Sequence, residues 1–120
     1  MLRSERSLFS GISNKRSEAE MQFLSISQRR KEFAEGDYAR LAEPEMERAR
    51  ELYSEGFIRQ IWHRLDMPGA CLLWEAGGEE QVREMWATFP FAQAGMTEML
   101  LVPLKPYAGF RPTKPPKIGT

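Results

Sequence analysis

The sequence predicts an α+β fold: a four-stranded antiparallel sheet with two helices on one face. Three observations carry this. Two segments place apolar residues at helical spacing: Met46, Ala49, Leu52 and Tyr53, then Val82, Met85, Trp86 and Phe89. Four short stretches around Phe23, Trp62, Leu72 and Leu100 read as strands. Glycine and proline punctuate the boundaries, at Gly56, Pro68–Gly69, Gly77–Gly78 and Pro90.

Taken in order, residues 1–20 mix serines with Arg3, Arg6, Lys15 and Arg16 and are poor in apolar side chains, so they read as an arm outside the core. The domain spans 21–105. Its first strand, five to seven residues long, alternates Phe23, Ser25 and Ser27 with Leu24 and Ile26. Gln28 to Asp37 reads as a loop, with a helical turn at Tyr38 to Ala42. Pro44 suits the first turn of a helix, where its missing N–H costs nothing, and Glu43 and Glu45 suit the positive end. Gly56 stops that helix at the position where a left-handed backbone is needed.

The second strand follows, with Ile58, Gln60, Trp62 and Arg64 on one face and Arg59, Ile61, His63 and Leu65 on the other. Asp66–Met67–Pro68–Gly69 turns it into a third strand, Ala70 to Trp74. Glu79 and Glu80 open the second helix, and Pro90 ends it. Phe91 to Gly95 connects to a fourth strand, Thr97 to Val102, which Pro103 limits. Residues 106–120 form a proline-rich tail favouring extended backbone. The order strand, helix, strand, strand, helix, strand is the split βαβ arrangement of ferredoxin-like domains. Right-handed crossovers then put both helices on one side of the sheet.

Composition narrows the function. With 17 basic and 17 acidic residues the formal charge is zero, which argues against nucleic acid as a partner. No run is long and apolar enough for a membrane span. A lone cysteine, Cys71, fits a reducing, cytoplasmic compartment. One histidine and one cysteine give no zinc-type spacing, and no metal or other cofactor is expected.

Two helices cover only one sheet face, yet the third and fourth strands are apolar on both. A bare patch of Trp62, Leu100, Val102 and their neighbours exceeds what a monomer usually exposes. Hiding ~400 Å² on each of two chains contributes roughly 20 kcal/mol gross, before association costs. The expectation is therefore a homodimer or larger homo-oligomer, sheet against sheet: a dimeric α+β barrel with a lumen. Leu24 and Ile26 are expected to face the helices, leaving Phe23, Ser25 and Ser27 for the lumen. Thr97, Met99 and Leu101 are expected under the helices, with Glu98, Leu100 and Val102 opposite. His63 goes with Ile61 and Leu65 to the helix side, and Gln60, Trp62 and Arg64 to the lumen.

Leu52–Tyr53–Ser54–Glu55–Gly56 leading to Trp62, and Phe89–Pro90–Phe91 leading to Glu98, resemble muconolactone isomerases and the wider group of small dimeric α+β-barrel proteins. The likeness covers roughly 21–106. Pro90 to Gly95 looks closest to uncharacterised bacterial members. The resemblance implies a ferredoxin-like dimer with a small-molecule pocket, and a cofactor-independent isomerase or lyase acting on a small lactone, enol or aromatic acid. Met67 and Pro68 stand where the isomerases carry a His-Tyr pair.

Within that frame Glu98 is the candidate general acid or base, since an apolar rim raises a carboxyl pKa toward neutrality. His63 is the candidate proton shuttle. Arg64 would hold an anionic substrate by a bidentate contact, or else pair with Glu98 or Asp66. Trp62 and Trp74 would stack against it, and Ser25 and Gln60 would orient a carbonyl. The alternative is a non-enzymatic small-molecule-binding or accessory dimer using the same lumen.

Overall fold

The computed structural model describes residues 20–110. The arm and tail expected at the two ends lie, apart from Glu20 and residues 106–110, outside the described residues. The chain runs β1 (Met21–Arg29), α1 (Glu35–Ser54), β2 (Ile58–His63), β3 (Ala70–Ala76), α2 (Glu79–Trp86), α3 (Pro90–Gln93) and β4 (Thr97–Leu104), then a short 3₁₀ turn, Ala108–Phe110. The four strands form one antiparallel sheet in the order β2-β3-β1-β4. The architecture is α+β and ferredoxin-like, as the element order predicts.

Several boundaries differ from the sequence reading. α1 starts at Glu35, not near Pro44, and is 20 residues long with Pro44 inside it. An internal proline removes one helical hydrogen bond and normally kinks or ends a helix. Here upstream packing outweighs that cost. Tyr38 is 2% exposed, and its hydroxyl donates to the Met96 carbonyl at 2.7 Å. At the helix start the Asp37 carboxylate accepts the Ala34 N–H at 2.9 Å. Pro90 does not end α2, which stops at Trp86; it occupies the first turn of α3, a position that suits it. β4 continues through Pro103 to Leu104, which an edge strand tolerates because one side of its backbone needs no partner. β1 likewise runs nine residues rather than the expected five to seven.

Both crossovers re-enter the sheet through the same joint. After α1, Gly56 takes φ 88°, its N–H donates to the Tyr53 carbonyl, and Phe57 N–H reaches back to Leu52. After α3, Gly95 takes φ 72°, its N–H donates to Ala92, and Met96 N–H reaches back to Phe91. This two-bond cap satisfies helix carbonyls that would otherwise lack partners. A buried apolar residue, Phe57 or Met96, follows each glycine and anchors the exit.

The core lies between the sheet and the helices. Phe23, Leu72, Trp74 and Leu101 enter it from the sheet, Leu52 from α1, and Val82, Met85 and Phe89 from α2 and its exit. This corrects the expected faces of β1. Phe23 and Ser25, each 1% exposed, point under the helices, while Leu24 and Ile26 are half-buried on the other side. The register explains it. Ser25 sits opposite Leu72 and Leu101, and Phe23 opposite Trp74, so these side chains share a face. A serine in that set misled the count of apolar residues. It belongs there because its hydroxyl accepts the Trp74 indole N–H at 2.9 Å.

Candidate functional site

The sheet face away from the helices is the candidate site, and register assembles it row by row. Gln60, Leu73, Leu24 and Val102 form one row across the strands. Trp62, Cys71, Ile26 and Leu100 form the next. Polar pairs bound this apolar centre: Gln28 opposite Glu98 at one end, Gln22 opposite Glu75 at the other. The centre is far from sealed, with Leu100 61% and Trp62 47% exposed.

β2 reaches this face by an irregularity. Ile58 pairs with Trp74, but Gln60 pairs with Leu73, so the pairing slips by one residue between them. Such a bulge reverses the faces downstream. Ile58 is therefore fully buried under the helices, while Gln60 and Trp62 point the opposite way. The sequence reading, which put Ile58, Gln60 and Trp62 on one face, is corrected accordingly.

The other candidates scatter. His63 pairs with Ala70 and lies, exposed, on the helix side of β2. Glu98 lies on the opposite side of the sheet, so the two cannot reach one substrate within a chain. Gln60 and Trp62 do share the open face with Glu98, but β2 and β4 are opposite edges. Three strand spacings separate them, about 14 Å. Trp74 is 0% exposed and Ser25 1%, so both are filled core rather than the lumen wall expected of them.

Arg64 is engaged at the hairpin. Its Nε and Nη2 donate to Asp66 at 3.0 and 2.7 Å, and its Nη1 to the Ser27 carbonyl at 3.3 Å. The hydrogen bond from Arg64 holds the Asp66 carboxyl below its usual range. The same turn presses on β1, since a Cβ at Gly69 would overlap the Ser27 carbonyl oxygen.

A hollow of about 500 Å³ opens where this face ends, lined by Met21, Gln22, Glu75, Leu104 and Lys105 among others. Within it the Glu75 carboxylate accepts from Gln22 at 3.1 Å and faces Arg59 at 3.4 Å. Neither Glu75 nor Glu45 is a site candidate from sequence, and Glu45, expected at the positive end of a helix, lies in the middle of α1. Glu45 lies on the inward stripe of α1, seven residues from both Tyr38 and Leu52. Its burial pushes the carboxyl up to about 7, against one backbone hydrogen bond that lowers it. Extending the helical pattern upstream of Pro44 would have placed it there.

Among the described residues no group of three or more His, Cys, Asp and Glu side chains is placed to hold a metal ion. Nor is any described helix long and apolar enough to cross a membrane.

No protein-family model matches the chain, and no curated protein matches it in sequence. Among solved structures, the crystal structure of muconolactone isomerase superposes with a TM-score of 0.63. The match covers 78% of this chain and 98% of that one, at 14% sequence identity. What that likeness shows is a shared ferredoxin-like α+β fold.

Proposed function

We propose that two copies of this chain pack sheet against sheet, and that the space enclosed binds a small molecule. One observation carries the reading. The open face has an apolar centre of Leu24, Ile26, Leu73, Leu100 and Val102, with the carboxylates of Glu75 and Glu98 at its two ends and the Gln60 amide on its β2 edge. A face meant for water would alternate with polar residues along each strand. Cys71, in the same centre, stays a thiol in a reducing cytoplasm.

In this reading the protein is a cofactor-independent isomerase or lyase acting on a small lactone, enol or aromatic acid. The fold likeness to muconolactone isomerase supports the class. Glu98 removes a proton from the carbon beside a carbonyl, leaving the electron pair as an enolate. It then returns the proton to a different carbon, so nothing is gained or lost. Gln60, whose Oε1 accepts the Ile61 N–H at 3.3 Å, keeps its amide N–H groups for the enolate oxygen. Trp62 stacks on the substrate. Because Glu98 and Trp62 stand on opposite edges, each site combines one copy's β4 edge with the other copy's β2 edge.

Two measurements test this. Glu98→Gln abolishes turnover while ligand still raises the melting temperature. Mixing Glu98→Gln with Trp62→Ala subunits restores activity, because a mixed dimer holds one intact site. A second reading, a non-enzymatic binding or accessory dimer, draws on Arg64: the cation expected to hold an anion already holds Asp66 and Ser27. Ligand-induced stabilisation without turnover selects that reading. If no lactone or organic acid shifts the melting temperature, both fail.

A further inference from the structure

The inward stripe of α1 contains one acid. Tyr38 and Leu52 bury almost completely, and Ala49 packs on the core. Glu45 lies between them, half-buried, with its Oε1 accepting the Phe91 N–H of α3 at 2.8 Å. Phe91 is also gripped by its ring, which meets Tyr38 edge-on at 5.3 Å. Its carbonyl in turn accepts the Met96 N–H at 2.9 Å. An aromatic contact and a carboxyl hydrogen bond thus join α3 to α1 through Phe91. The segment leading into α3 also carries Phe89, whose ring lies edge-on to buried Trp74 at 6.5 Å.

We propose that Glu45 is a pH-sensitive latch between α1 and α3, docked while the carboxyl is protonated and loosened once it ionises. Among the described residues no charged side chain is paired with it. On its own helix Arg48 is committed to Thr88 at 2.7 Å and Glu51 at 2.8 Å. From α3 its hydrogen-bond partner is the Phe91 N–H, and neither α3 nor the segment 87–89 that leads into it carries a charged side chain. On β4, Glu98 points to the far side of the sheet. The pair Arg29–Glu35 closes on itself at the Tyr38 end.

The Phe91 N–H bond favours the ionised carboxyl, but burial, the larger effect, favours the protonated one and sets the sign. The docked carboxyl titrates near 7, and one released into water returns toward its ordinary 4.5. The docked form therefore binds the extra proton, and its advantage falls as pH rises from about 4.5 through about 7. Above that range the ionised group gains from hydration by swinging α3 away. Opening lifts Phe89 off Trp74 and admits water to the Ser25 hydroxyl.

Hydrogen exchange of the Phe91 to Met96 amides in the full chain tests the latch. After correction for intrinsic exchange, protection falls about tenfold between pH 6 and pH 8.5 in the wild type. Glu45→Gln, which keeps the acceptor and cannot ionise, loses no protection over that range. Equal behaviour of the two proteins overturns the proposal. A second measurement needs no variant: the NMR titration of the Glu45 carboxyl carbon has its midpoint near 7, and a midpoint near 4.5 overturns it as well.

Discussion

On the helix side of the sheet, Phe23, Leu72, Trp74 and Leu101 are between 0% and 8% exposed; on the other side, Leu100 and Trp62 are 61% and 47% exposed. Both sides are apolar in composition. What separates them is closure: one is filled to the point that a serine and an indole satisfy each other inside it, the other has side chains and no ceiling. Substitutions should therefore act on folding on the first side and on association on the second.

The largest effect expected is at Trp74. Trp74→Ala empties the centre of the core and leaves Ser25 without its partner, costing about 3–5 kcal/mol by denaturant unfolding. If the loss is under 1 kcal/mol, the helix side is not the closed one. Gly69→Ala comes next, at about 2–3 kcal/mol, because the new methyl drives the β2–β3 turn off the Ser27 carbonyl. Ser25→Ala keeps the shape but strands the Trp74 N–H, for about 1–2 kcal/mol.

Glu45→Gln sharpens the comparison along pH. The folded carboxyl is raised, so the native state loses stability as pH climbs from 4.5 to about 7. The variant escapes that loss. It should be more stable than wild type by about 1 kcal/mol at pH 8, a figure discounted for the partial exposure of the group, and no more stable at pH 4. Thermal melts at the two pH values decide it. The smallest effect on folding belongs to the open face. Leu100→Lys should change single-chain stability by less than about 0.5 kcal/mol. It should nevertheless turn a dimer into a monomer in sedimentation velocity. A wild type that sediments as a monomer at micromolar concentration removes the sheet-to-sheet reading altogether.

Element order and architecture were legible in the sequence because Gly56, Pro68–Gly69 and Gly77–Gly78 mark turns whatever the tertiary context. The start of α1 was not legible. Pro44 is a strong local signal, and only the burial of Tyr38 against Met96, far along the chain, overrides it. The face of β1 was hidden for a related reason. Alternation fixes two sets but not which goes inside, and Ser25 looked like the wet one until Trp74 supplied its partner. At the candidate site, Glu98, Gln60 and Trp62 could be placed by counting along strands. The slip between Ile58 and Gln60 could not, since no glycine or other marker announces it. For Arg64 the sequence offered a substrate anion or a pair with Glu98 or Asp66, and only the structure selects Asp66.

The strand order has a consequence for assembly of the chain. The first half supplies β1 and β2, the second β3 and β4, yet neither pair is adjacent in the sheet. The first half by itself owns one helix, the second two, and each owns two strands that cannot bond to one another. Only the short hairpin across the middle can form locally; every other ladder must wait for the ends of the polypeptide to meet. A nick in the Asp66–Gly69 turn would therefore yield two fragments that are each unstructured alone and regain order only by interleaving.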